Sequence, residues 1–384
     1  LLSLPRMLAT TLLALLPLLG LPAAQGPEDG IPPLVAADAR GVLIDGAVVA
    51  FDKVPAAVGK AALAAIEQAR PWCERAGKVA ALDGKGRFLL VVDPKDKRAL
   101  RRYEAAVETA NWFDARLPAP SQADAAKEAD LACAIVHIVR DEGEQGLLLD
   151  QIVAKQTTLK EWSKTARKKP GFVLYEPLLI AVLLKPKSAV RWNAEHDMAN
   201  RLAQLLVERR FGAQPDWLCL GVGWCAEWRM DAEIHCFPNR MDAVQRAEHG
   251  AWGNEIRREC AKRMKLGGVP EAEGDKREPA PILSIELSAC RRGKWNGDGS
   301  RRAFGVTSWF LDQKPDLVAD LLHDLRRARE ALARATTPPV PDDLELPPEE
   351  IEKVIATRFG ANWLVDASKW IAEGHIPQSM SVAK

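Results

Sequence analysis

The run from Trp192 to Met230 constrains this chain more than any other: W-N-A-E-H-D-M-A-N-R-L-A-Q-L-L-V-E-R-R-F-G-A-Q-P-D-W-L-C-L-G-V-G-W-C-A-E-W-R-M. Its spacing predicts a helix over residues 193 to 210, a turn at Gly212 to Pro215, and a second, tryptophan-anchored helix over 217 to 230. On a helical projection, Met198, Ala199, Leu202, Ala203, Leu205, Leu206 and Val207 fill a broad apolar arc, with Asp197, Arg201, Gln204 and Glu208 opposite. His196 and Asn200 fall one turn apart on the border between the arcs, where a helix lining a cleft carries its working side chains.

This stretch resembles the gluzincin metallopeptidases, in particular exported bacterial proteins of the peptidase MA-like superfamily. Those proteins carry H-E-x-x-H on one helix and P-x-W-L-x-E-G at the start of the next, with two histidines and the second glutamate holding zinc. Phe211-Gly212, Pro215, Trp217, Leu218 and Gly221 keep the frame, and Glu227 lies near the acidic residue that often closes the second motif. The ligands depart from it. His196-Asp197-Met198-Ala199-Asn200 stands in place of the first motif, and Leu220 in place of the third ligand, so His196 alone is retained. Asp197 keeps the charge of the general base on a shorter stem. A catalytic zinc needs three protein donors and an open position for water, so the resemblance implies the fold and argues against ordinary zinc proteolysis. The tyrosines, Tyr103 and Tyr175, both lie upstream of the motif, where the family's oxyanion-steadying residue is downstream. The implied fold class is α+β and zincin-like, a mixed sheet packed on an active-site-type helix pair, followed by a helical C-terminal region.

The first 25 residues read as an export leader: Arg6, an apolar run to Leu21 broken by Pro17, then Ala23 and Ala24. The expectation is a periplasmic or extracellular protein with no stable membrane anchor once the leader is cleaved. The chain holds 53 basic and 52 acidic residues, which gives no long-range field for nucleic acid. Seven cysteines over this length do not make a disulfide scaffold, and their connectivity cannot be assigned from spacing.

After a linker at 26 to 40, the order of elements suits an α/β core over 41 to 266. A hairpin turns at Asp45-Gly46; helices are predicted over 58 to 75, 98 to 117 and 147 to 166, and strands over 87 to 92 and 130 to 139. In the second helix Tyr103, Val107 and Trp112 point inward. The apolar stretch 172 to 184 is interrupted at Pro177, which predicts an edge strand or two short pieces. Residues 267 to 281 read as a loop, and 282 to 384 as mainly helical, with helices at 303 to 311, 317 to 335, 348 to 359 and 361 to 372. The cations around Trp295, from Arg291 to Arg302, read as a surface turn more simply than as an anion site.

His137, in an apolar run, reads as a core histidine; His235-Cys236 is a candidate to join His196 with Cys219 or Cys225 in a rebuilt metal site, against the plainer reading of an ordinary helix end. Glu195 suits a helix N-terminus, and Gly221-Val-Gly223 is too short for a phosphate loop. Trp217, Trp224 and Trp228, at helical spacing, either fill the core or wall a cleft. Two readings of function follow. One is an exported pseudopeptidase without cofactor that binds or scaffolds an unidentified protein or peptide, its cleft walled by Trp224, Trp228, His196 and Asn200. The other is a divergent hydrolase, zinc-dependent or metal-free, working through His196, Asp197 and Glu227. A plainer third option is an exported α/β protein with the two helices far apart.

Overall fold

In a computed structural model of the chain, residues 32–119, 131–186, 192–236, 252–266, 297–313, 315–341 and 344–375 are described below. The stretches read above as a leader (1 to 25) and as a loop (267 to 281), with part of the linker and most of the basic stretch around Trp295, lie outside them. Among these residues the architecture is α+β and mostly helical, built on one mixed sheet of seven strands in the spatial order Ala47–Val49, Val42–Ile44, Val79–Leu82, Phe88–Val92, Ala134–Val139, Leu179–Leu183, Phe172–Leu174.

The first described element is the hairpin β1 (Val42–Ile44) and β2 (Ala47–Val49), which turns at Asp45 and Gly46 with φ of 47° and 82°. Two left-handed residues in a row are what a tight hairpin turn requires. Helix α1 (Lys60–Ala76) follows, then β3 (Val79–Leu82) and β4 (Phe88–Val92) as an antiparallel pair. After α2 (Ala99–Arg116) comes β5 (Ala134–Val139), parallel to both β4 and the later β7. The single helix expected over 147 to 166 is instead two, α3 (Glu142–Lys155) and α4 (Lys160–Ala166), separated at Gln156 by a short 3-10 turn. Asp141 starts α3 earlier than expected because its side chain accepts the Glu144 N–H. The stretch containing Pro177 forms two pieces: β6 (Phe172–Leu174) at the sheet edge and β7 (Leu179–Leu183) inside it.

Side chains on the central strands alternate between two cores, as the period of two demands. Ile135 and Val139 face α1 and α3, while Ala134, Val136 and Ile138 face α2 and the helix pair. With both sides covered, β4, β5 and β7 are buried at every residue and read as continuous apolar runs.

The helix pair is α5 (Ala194–Phe211) and α6 (Asp216–Asp231). Asn193 caps α5 by accepting the N–H groups of Glu195 and His196, and Gly212, at φ 68°, ends it. Met198, Leu202, Leu205 and Leu206 are no more than 2% exposed, each burial contributing about 1.5–3 kcal/mol. Most of the arc opposite them is buried too, Glu208 being the half-buried exception. Asp197, Arg201 and Gln204, on the polar side of the projection, are 0%, 4% and 2% exposed, because further elements cover that side of α5.

Helices α7 (Trp252–Leu266), α8 (Gly297–Asp312), α9 (Pro315–Ala335), α10 (Pro348–Phe359) and α11 (Trp363–Ala372) follow among the described residues. They share one apolar core with the sheet and α6, running from Val35 to Ile371. Two glycines set how closely α6 meets its neighbours. A Cβ on Gly223 would lie 2.9 Å from Asn200 O, and one on Gly221 would lie 2.1 Å from Thr307 Oγ1 of α8. The Gly221-Val-Gly223 pair therefore serves close helix approach on two sides of α6. No helix among the described residues is long and apolar enough to cross a membrane.

Candidate functional site

The short turn between α5 and α6 returns the chain antiparallel, which brings the end of α6 beside the beginning of α5. Ala232, at φ 59°, then folds the chain back across that end. His196, Asn200, Glu227, Asp231 and His235 are thereby gathered at one end of the pair, although they span 40 positions of sequence.

Glu227 is the centre of this group. Its carboxylate is fully buried and accepts the Asn200 Nδ2 proton at 3.0 Å, the Cys236 backbone N–H at 2.9 Å and the His235 backbone N–H. His196 Nδ1 lies 3.7 Å from Glu227 Oε1, and His196 Nε2 lies 3.2 Å from Asp231 Oδ1. Burial pulls the His196 imidazole down, and Glu227 and Asp231 more than reverse this, so its pKa lies above the ordinary histidine value. The rings of His196 and His235 meet edge to face with centroids 4.5 Å apart. Donor atoms of His196, Asp231 and His235 all lie within 4.8 Å of one another.

From Asn200 a chain of polar contacts runs along the seam between the helices. Gln204 Nε2 donates to Asn200 Oδ1 at 2.6 Å, Tyr175 Oη donates to Gln204 Oε1 at 3.4 Å, and Tyr175 Oη is 3.7 Å from Cys219 Sγ. Asp197 belongs to a different cluster: Arg201 Nε lies 2.8 Å from both of its oxygens, and Arg201 also donates to the Pro170 carbonyl. Burial raises the Asp197 pKa against the opposing pull of Arg201 and a hydrogen bond with Cys236. Asp197 is thus fully buried and paired with Arg201 through one N–H shared between its two oxygens, whereas a general base needs a carboxylate turned toward a reacting water.

Of the three expected zinc positions, the two substituted ones do not fit zinc. Asn200 uses its amide oxygen and nitrogen on Gln204 and Glu227, and Leu220 lies away from His196 on the wall of a separate groove. The carboxylate beside His196 and Asn200 is Glu227, two helical turns beyond Leu220 on the same side of α6.

That groove, about 1320 Å³, is bounded by the edge strand β6, α4, α5, the start of α6 and the helices α9 to α11. Trp217 and Leu220 line it, together with Tyr175 and every residue of β6. The cleft expected between Trp224, Trp228, His196 and Asn200 is not formed. Trp224 donates its indole N–H to the Cys236 carbonyl and packs on Trp252, and Trp228 packs on Phe304, both inside the core. Glu227 is likewise enclosed, at 0% exposure.

His235 reaches His196 as its position after α6 allowed, but the third member is Asp231 and no cysteine. Cys225 is directed at Ser308 on α8, and Cys219 at Tyr175. Burial pushes the thiols of Cys73, Cys133 and Cys225 up to about 12, so none of them is a ready nucleophile. His137 is a core residue, edge to face with Trp72, and Glu195 pairs with Arg102 at 3.5 Å beside the N-terminus of α5. Comparison with models of known protein families, with curated protein sequences and with solved structures gave no match for this chain.

Proposed function

We propose that this chain is an exported, non-catalytic relative of the gluzincin peptidases that holds an extended segment of another polypeptide in the groove beside β6. The observation that carries the reading is the state of the two motif helices. Asp197 is locked to Arg201, Asn200 is locked between Glu227 and Gln204, and Leu220 offers no donor, while the groove along the sheet edge is open. Among the described residues β6 pairs only with β7, so its outer backbone groups suit pairing with an added strand. Trp162, Phe172 and Trp217 supply apolar walls, and Arg326 and Glu330 charges of both signs, which fits a polypeptide better than a small apolar ligand. The alternative, a divergent hydrolase using His196 and Asp197, asks for a base from a carboxylate whose two oxygens are already bonded.

Denatured, fluorescein-labelled casein serves as the probe. The expected result is saturable binding without new peptide termini by mass spectrometry, weakened at least about tenfold by Val173→Asp on β6 and unchanged by Val48→Asp on the opposite edge. Time-dependent cleavage that a chelator stops would establish the hydrolase instead, and equal binding by both variants would remove the groove from the account.

A further inference from the structure

We infer that His196, Asp231 and His235 form a binding site for a first-row divalent transition ion of the zinc type, distinct in its ligands from the family motif, of which only His196 is shared. Two imidazoles and one carboxylate are a donor set that such ions favour over calcium or magnesium. The geometry is close to what the ion needs. Tetrahedral coordination with bonds of about 2.0–2.1 Å places donor atoms about 3.3 Å apart. His196 Nε2 and Asp231 Oδ1 are already 3.2 Å apart, and the whole set lies within 4.8 Å, so small side-chain rotations close it.

A second observation points the same way. His196 is 1% exposed, and its Nδ1 is buried without a hydrogen-bond partner, facing Glu227 Oε1 at 3.7 Å. When Nε2 of an imidazole coordinates a metal, the other nitrogen carries the proton and turns it toward a carboxylate or carbonyl. Glu227 stands where that acceptor belongs, itself fixed by Asn200 and by the backbone of His235 and Cys236. Glu233 Oε2 lies 3.1 Å from His235 Nε2 and steadies the second imidazole. The side chain of Asp231 is 51% exposed, which leaves an entry path and an open position for water. The ion would clamp the chain after α6 to the first turn of α5. With three protein donors rather than four, it would be exchangeable.

The inference is independent of peptide binding, because its test reads only metal. Full-length protein stripped by chelator and dialysed is titrated with Zn2+ and then with Co2+. The expected results are one Zn2+ per chain by elemental analysis, a rise in Tm of about 5 °C under excess Zn2+, and visible Co2+ bands of a four-coordinate N/O site. Asp231→Asn and His235→Ala should each weaken binding by more than about 100-fold, beyond the range for outer-shell partners. His137→Gln, on the far face of the sheet, should leave it unchanged. If His235→Ala fails to fold, Asp231→Asn, at a half-exposed carboxylate, carries the test alone. No binding by folded wild-type protein, binding indifferent to Asp231→Asn, or a thiolate-to-Co2+ charge-transfer band would each overturn the assignment. Loss of casein binding with metal binding intact would count against the proposed function and leave the ion site standing.

Discussion

His137 and His196 are equally hidden, at 2% and 1% exposure, yet they sit on opposite sides of the ordinary histidine pKa. His137 lies in the middle of β5 against Trp72, and burial, aided by the neighbouring Lys78 cation, pushes its pKa down to about 3. Lys78 is itself paired with Glu144 at 2.8 Å, so that carboxylate is already engaged. His196 stands at the head of α5 with Glu227 and Asp231 close by, and they raise it. Burial alone therefore does not mark a working histidine; the charges around it do. One region is packing with a neutral ring at its centre, and the other is a seam of linked polar groups ending in clustered metal-type donors.

The largest expected effect tests whether the seam region is coupled as drawn. Arg201→Met leaves the Asp197 carboxylate buried without its partner and should cost about 3–5 kcal/mol in urea unfolding. Adding Asp197→Leu should recover much of that loss, and a small single-mutant effect would break the contrast with the His137 region. Next comes Glu227→Gln, which sets an amide N–H against the donors of Asn200, His235 and Cys236 and should cost about 1–3 kcal/mol.

On the other side of the comparison, the prediction is one of pH. The unfolded His137 imidazole takes up its proton below pH 6.5, whereas the folded one resists until about pH 3. Its contribution to stability is thus complete above 6.5 and falls with pH across that window, by up to about 1.4 kcal/mol per unit. His137→Leu should remove this slope in thermal melts taken from pH 7 to pH 5; an unchanged slope would mean that the ring is protonated in place. The smallest effect belongs to Gly223→Ala. The gain in helix propensity opposes a 2.9 Å contact with Asn200, for a net loss of about 1 kcal/mol in the same urea assay.

Local chemistry made much of the fold legible. Asp45-Gly46 fixed the first hairpin, Asn193 and Gly212 bounded α5, and Pro177 announced the break between β6 and β7. The strand Val79–Leu82 escaped notice, because V-A-A-L is short and rich in alanine directly after a helix. At the site, the period of α5 places Asp197, Arg201 and Gln204 on its polar arc, and their burial there depends on distant groups, the Pro170 carbonyl, Cys236 and Tyr175, in addition to the local Asp197–Arg201 and Asn200–Gln204 pairs. Spacing along the motif pointed to Leu220, whereas folding brought Glu227 to His196, since adjacency across two antiparallel helices follows their crossing rather than a count of residues. His235 was visible as a donor, but its companion Asp231 was not, because the left-handed Ala232 that swings the chain back has no side-chain signature.

The place of Glu227 also bears on any attempt to reinstate peptidase chemistry by retrofitting the motif. Writing glutamate at 197, histidine at 200 and glutamate at 220 would restore the letters while setting the last of these carboxylates into the groove wall, about 10 Å along α6 from the one beside His196. The carboxylate already at hand fastens the backbone of His235 and Cys236, so recruiting it would mean rebuilding the bend that follows α6. A successful reactivation would begin with residues 232–236 and come to the two helices afterwards.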